Sequence, residues 1–159
     1  MIADARALAR CYIAPRMRCF VVIGQKATAS ADFSLSDIPG TSGRLDVLLR
    51  CIRAALLLSH ELRRDTVVYL VLQGGPRAPR TVRIDGRAVR FVRPDERCLA
   101  SMVQKALLHT QGGPGFVASR DGLAVAEGGL EVVLPELLGA DAYVLDERGD
   151  DVRDGALAA

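Results

Sequence analysis

The chain has 159 residues, half of them hydrophobic and a quarter charged, with a formal net charge of +2. That length suits one domain with a real core, and no apolar run reaches the roughly 18 residues a membrane span needs. The charge is uneven: residues 1–108 carry a net +9 and residues 109–159 a net −7, so a basic body is joined to an acidic end and suits an anionic partner.

Ile2 to Arg18 is rich in Ala and Arg without a continuous apolar core, which argues against a secretory signal and places the chain in the cytoplasm. Met17 stands directly before the first apolar run, so residues 1–16 read as an N-terminal extension and 17–159 as a single domain. Cys19-Phe20-Val21-Val22-Ile23-Gly24 reads as a strand buried on both faces. Gln25 to Gly43 is a long polar loop, a class of segment that usually carries function. Leu45, Leu48, Leu49, Ile52 and Leu56 recur at helical spacing, and the helix is expected to end in Leu58-Ser59-His60-Glu61-Leu62-Arg63-Arg64-Asp65.

Val67 to Leu72 is a second apolar strand. Thr81–Ile84 and Ala88–Phe91 flank Asp85-Gly86, a tight-turn signal, and read as a hairpin. Pro94-Asp95-Glu96-Arg97 starts a helix through Leu107, with Asp95 at the end where negative charge is favoured. A weaker helix is expected from about Asp121 to Leu138, then a short strand at Ala142–Leu145 and a polar tail. Alternating strands and helices imply an α/β fold with a mainly parallel sheet flanked by helices.

Four cysteines (Cys11, Cys19, Cys51, Cys98) are widely spaced without a CxxC or CxH pattern. They read as buried structural thiols, and no metal site is expected. Asp46 and Arg50 lie four apart and fit a surface ion pair. Arg44 sits at the loop–helix junction, where a cation opposes the helix dipole, so helix stability does not explain it. Arg77, Arg80, Arg83, Arg87, Arg90, Arg93 and Arg97 form a spaced series: a phosphate-tracking surface for RNA, or a solvated edge hairpin. Aromatic residues are only 4% of the chain, which does not support a base-stacking platform. His60 reads as a capping or packing histidine, and Gly74-Gly75 lacks either phosphate-loop pattern.

Several segments taken together resemble a known family. They are Met17–Gly24, Asp32–Gly40, Gly43-Arg44-Leu45-Asp46-Val47-Leu48, Leu58–Asp65, Pro94-Asp95-Glu96-Arg97 and, more loosely, Tyr143–Asp151. The resemblance is to the tRNA pseudouridine-54 N1-methyltransferase family, within the knotted SPOUT methyltransferases. It implies a homodimer that uses S-adenosylmethionine to methylate N1 of a pseudouridine in the TΨC loop of tRNA. Arg44 and Asp46 resemble the family's base-recognition pair and are the expected catalytic residues. Arg63, Arg64, Arg83 and Arg90 are the expected RNA contacts, and Leu145 is the one expected cofactor contact. Gln25 stands where the family usually has His. The family's last strand, two Gly-containing loops and last helix, which build most of the trefoil knot and the cofactor pocket, have no counterpart before Ala159. The expectation is therefore an incomplete knot and a truncated product or a member that has lost methyl transfer. The alternative function is a non-catalytic RNA-binding or dimerisation remnant, and an unstable fragment is a third possibility.

Overall fold

Seven consecutive residues of one strand, Thr66 to Leu72, are buried, and the rest of the molecule is arranged around them. The computed structural model describes residues 17–109 and 115–149; the reading of residues 1–16 as an extension lies outside them. The elements run β1 (Arg18–Thr28), α1 (Ile38–Thr41), α2 (Leu45–Leu56), β2 (Thr66–Gly74), β3 (Arg80–Asp85), α3 (Glu96–Leu108), β4 (Val117–Arg120) and β5 (Leu123–Glu127). Two short 3-10 turns follow at Leu130–Val132 and Leu134–Leu137. The strands form one sheet in the order β1-β2-β3-β5-β4.

This is an α/β fold, but the sheet is mixed rather than mainly parallel. Only β1 and β2 run parallel, Arg18 opposite Thr66 through Gly24 opposite Leu72. The β2–β3, β3–β5 and β4–β5 pairs are antiparallel. The crossover through α2 brings β1 and β2 side by side in parallel, whereas the crossover through α3 carries the chain from β3 to β4, and β5 then turns back between them, antiparallel to both.

Alternate residues of β2 serve two cores, as the strand pleat requires. Val68, Leu70 and Leu72 face Leu45, Leu49, Ile52 and Leu56 of α2 and Leu99, Val103 and Leu107 of α3. Val67, Tyr69 and Val71 face the other way and pack with Val133, Phe116 and Leu137. The 3-10 segment therefore covers the sheet face that the helices leave open. No helix among the described residues is long and apolar enough to cross a membrane.

Four local expectations are corrected. First, β1 is not buried on both faces; it pairs with β2 alone among the described strands, and Phe20 and Ile23 are exposed. Second, the Asp85-Gly86 turn forms, with Asp85 accepting the backbone N–H of Arg87, but no hairpin follows. Both edges of β3 are already taken by β2 and β5, and Val89 is drawn into the core instead. Third, Asp121–Leu138 is not helical. Leu123-Ala124-Val125-Ala126 pairs along β3, and Gly122 (φ +71°) supplies the left-handed turn that joins β4 to β5. Fourth, Ala142–Leu145 forms no strand and is exposed throughout.

Helix α2 also ends earlier than its spacing implies. It stops at Leu56, where the Arg63 N–H donates to the Leu56 carbonyl at 2.8 Å. Residues 58–61 form a turn in which the Leu58 N–H donates to the Glu61 carbonyl, leaving His60 exposed rather than capping or packed. The described cysteines are not buried: Cys19 and Cys98 are exposed and Cys51 is half-buried. Helix α3 matches its expected start, with the Asp95 carboxylate accepting the Cys98 N–H at 2.8 Å.

Candidate functional site

The start of α2 is fixed from two sides. Ser42 is fully buried; its hydroxyl donates to the Ile38 carbonyl at 2.6 Å and accepts the Leu45 N–H at 3.2 Å. Gly43 turns the chain at φ +63°, and a Cβ there would overlap the Lys26 carbonyl at the end of β1. Arg44 follows in the left-handed region (φ 70°, ψ 35°), a conformation that costs a non-glycine residue energy. Its side chain does not cap the helix. It reaches to Asp46 instead, Nε donating to Oδ1 at 2.9 Å and Nη2 to Oδ2 at 3.1 Å.

Asp46 is 6% exposed and also accepts from Arg50 Nη2 at 3.1 Å. Both guanidinium groups are mostly exposed while the carboxylate between them is not. The Arg44 hydrogen bond, with the Arg50 contact adding to it, holds the Asp46 carboxyl below its usual range. The same bond raises Arg44. The result is an acceptor ionised at neutral pH and flanked by two exposed guanidinium groups, at a helix start where negative charge is favoured. It can accept an N–H from a planar ring while the forks hold oxygen or phosphate. It is a poor proton sink, because its proton affinity is low.

The spaced arginine series divides at the Asp85-Gly86 turn. On its near side the arginines are engaged by the acidic segment. Arg77 and Arg80 reach Glu127 at 3.3 and 3.0 Å, and Arg83 reaches Glu136 at 3.0 Å. Arg80 is fully buried and donates to the carbonyls of Ala29, Leu107 and His109, so it pins β3 to the end of α3. Arg87 is held by Asp85 at 2.8 Å. Beyond the turn, Arg90 lies 3.8 Å from Asp121, and Arg93 and Arg97 make no ion pair with a described residue.

The expected site residues are therefore not one cluster. Arg44 and Asp46 stand together, with Arg50. Arg64 donates to the Gly86 and Val89 carbonyls at 2.8 and 3.1 Å, and shares a hollow with Arg90. Arg83 and Arg90 are not opposite each other across a hairpin; Arg83 pairs in register with Tyr69 and Ala124. Arg63 is half-buried beside the α2 end. Leu145 is 86% exposed, and residues 138–149 are exposed throughout. Leu145 and its described neighbours are exposed on all sides, so these residues alone do not fit a bound S-adenosylmethionine. Among the described residues, no group of three or more His, Cys, Asp or Glu converges as a metal site.

Comparison with known proteins adds the family. Residues 17–158 match the family described as "Putative SAM-dependent RNA methyltransferase". The tRNA (pseudouridine(54)-N(1))-methyltransferase of Methanococcoides burtonii is 44% identical over 140 residues, 87% of this chain and 69% of that protein. The protein of the same name from Methanosarcina acetivorans is 42% identical over 137 residues, 86% of this chain and 64% of that protein. That from Halobacterium salinarum is 45% identical over 136 residues, 84% and 67% respectively. The chain thus spans about two thirds of the length of these relatives. A match from the first strand to beyond the 3-10 segment leaves the assignment to one conclusion: the chain belongs to this family of S-adenosylmethionine-dependent RNA methyltransferases.

Proposed function

We propose that the protein acts as a tRNA pseudouridine N1-methyltransferase, the activity its relatives are named for. The observation that carries this reading is the fork–carboxylate–fork arrangement of Arg44, Asp46 and Arg50. Pseudouridine differs from uridine in exposing an extra ring N–H, at N1, and Asp46 is an acceptor for that group. The methyl group comes, by the family description, from S-adenosylmethionine. The chain's own residues orient the base: Asp46 accepts the N1–H, and Arg44 and Arg50 hold neighbouring oxygens. Because Asp46 is held ionised, it fixes the ring, stabilises the positive charge that develops as N1 gains the methyl group, and receives the N1 proton as that charge forms, passing it on to solvent. Alignment of N1 supplies much of the rate in this reading.

Arg63, Arg64 and Arg90 serve as RNA contacts in the same reading, and Arg83 contributes only where it is released from Glu136. The resemblance assigns Leu145 as a cofactor contact, which its exposed surroundings do not support, and the trefoil knot and homodimer come from the same resemblance. The exposed apolar residues Phe20 and Ile23 on β1 support an assembly that covers them. The non-catalytic remnant is the less favoured reading.

Labelled S-adenosylmethionine, the full chain and a tRNA bearing pseudouridine in its TΨC loop test the proposal. Label at N1 of that nucleoside supports it. No transfer to that tRNA, or equal transfer to a tRNA bearing uridine at that position, removes it.

A further inference from the structure

Phe91 is 88% exposed and has φ +57°, a left-handed conformation that a bulky aromatic rarely adopts. The ring is neither buried nor hydrogen-bonded, so packing does not explain holding it there. Strain of this kind persists where the surroundings over-determine it, and it clusters at ligand-contacting positions. The surroundings here are cationic. Phe91 lines a hollow of about 190 Å³ with Arg90, Arg93, Lys105 and Arg120, together with Cys98, Ser101 and Met102. Arg93, Lys105 and Arg120 make no ion pair with a described residue.

The hollow is not isolated. It shares Arg90 and Arg120 with a larger one of about 750 Å³ that also reaches Arg64 and Arg87. Arg64 in turn lines a third hollow, beside His60, Val92 and Pro94. That one shares Leu57, Ser59 and Pro94 with a fourth, which ends at Arg53 and Arg50. Arg50 is the residue bonded to Asp46. These hollows adjoin through shared lining residues between Arg50 and Phe91: arginines and Lys105 line the two ends, Leu57, Leu58, Leu62, Val92 and Pro94 line much of the middle, and Glu61 and Asp121 are the acidic residues among them.

We propose that Phe91 is a stacking platform for an unpaired nucleobase of the same RNA whose target base is held at Arg44 and Asp46, with Arg93, Lys105 and Arg120 holding the adjoining phosphates. The proposal rests on the RNA reading of the Arg44–Asp46 site, and extends it to a second contact that neither the family match nor the relatives' names assign. An exposed ring beside cations is the arrangement that binds single-stranded nucleic acid, stacking for the base and charge for the backbone. The scarcity of aromatics in the whole chain hid this, because a platform needs only one ring in the right place.

The test uses the full chain and a tRNA with pseudouridine in its TΨC loop. The chain contains no tryptophan, so Phe91→Trp supplies a single reporter. Its fluorescence is expected to quench on tRNA addition, and not on addition of polyglutamate at equal charge. Phe91→Gly keeps the left-handed backbone, removes the ring, and is expected to weaken tRNA binding by about tenfold, while Phe91→Tyr retains it. The Arg93→Glu, Lys105→Glu double variant is expected to lower the slope of log affinity against log salt by about 2. If the wild-type chain binds tRNA and Phe91→Gly binds it equally well, the platform is overturned while the Arg44–Asp46 reading stands. Equal quenching by polyglutamate overturns it in favour of an acidic polypeptide. If the wild-type chain binds no tRNA, both readings fall.

Discussion

Arg44 and Asp46 meet fork to carboxylate, with two donor–acceptor distances of 2.9 and 3.1 Å, from a backbone that Arg44 adopts against its own preference. An ion pair two residues apart on a regular helix does not form this way, since such side chains point to different sides. The left-handed turn at Arg44 brings its side chain back over the first turn of α2. The strain and the pairing therefore have one origin, the Gly43–Arg44 entry, and one product, an ionised carboxylate framed by exposed donors.

Arg44→Gly tests whether that geometry serves function or stability. Glycine accepts the left-handed conformation without penalty, and Asp46 keeps Arg50 as a partner. The melting temperature is expected to hold or rise, and methyl transfer to fall by about 100-fold or more. A marked drop in melting temperature would make Arg44 a structural residue.

The protonation of Asp46 follows from the same contacts. Its folded-state value lies below the usual carboxylate range, first because of the Arg44 hydrogen bond. The stability this contributes is present above the unfolded carboxylate value and is lost as pH falls through the folded one. A side-chain carboxyl NMR titration is expected to place the Asp46 midpoint below that of an ordinary aspartate. In Arg44→Gln the midpoint moves upward. An unchanged midpoint would deny the coupling.

Arg80 carries a structural prediction. Its guanidinium is fully buried and ties Ala29, Leu107 and His109 carbonyls together. Arg80→Met fills most of the space but leaves those carbonyls unpaired. Urea unfolding is expected to show a loss of about 2–4 kcal/mol. A loss well under 1 kcal/mol would mean that water replaces the guanidinium at little cost.

Tyr69 donates its hydroxyl to Glu136 at 2.6 Å, and burial with this neighbour pushes the phenol above its ordinary value. The bond clips the 3-10 segment to the open face of the sheet. Tyr69→Phe is expected to cost about 1 kcal/mol and to speed amide exchange in residues 130–137 more than in α2 or α3. Uniform exchange across the molecule would separate the segment's order from this bond.

The legible parts of the sequence were those where one signal acted alone. Helical spacing from Leu45 to Leu56 and the Asp95 cap both appear as read. The apolar run at Val67–Leu72 is the central strand. The sheet's mixed direction was not legible, because it depends on which edge of β3 is occupied by a strand 40 residues on. Leu123–Ala126 has only small and branched residues, and its period was ambiguous until Gly122 turned it onto β3. The Arg44–Asp46 pair was legible as a motif, but its bidentate closure depends on a left-handed residue that no propensity favours at Arg44. The arginine series was legible as charge only. Its division into engaged and outward-facing members follows from Glu127 and Glu136, which return from beyond α3.

Single-turnover methyl transfer at saturating tRNA, compared between the wild-type chain and Asp46→Asn, probes the base-holding role most directly. Asn keeps the shape and loses the charge that accepts the N1–H. Wild type is expected to transfer methyl to pseudouridine N1, and Asp46→Asn to do so about 100-fold or more slowly, with tRNA affinity changed by only a few-fold. Equal rates in the two proteins would contradict that role.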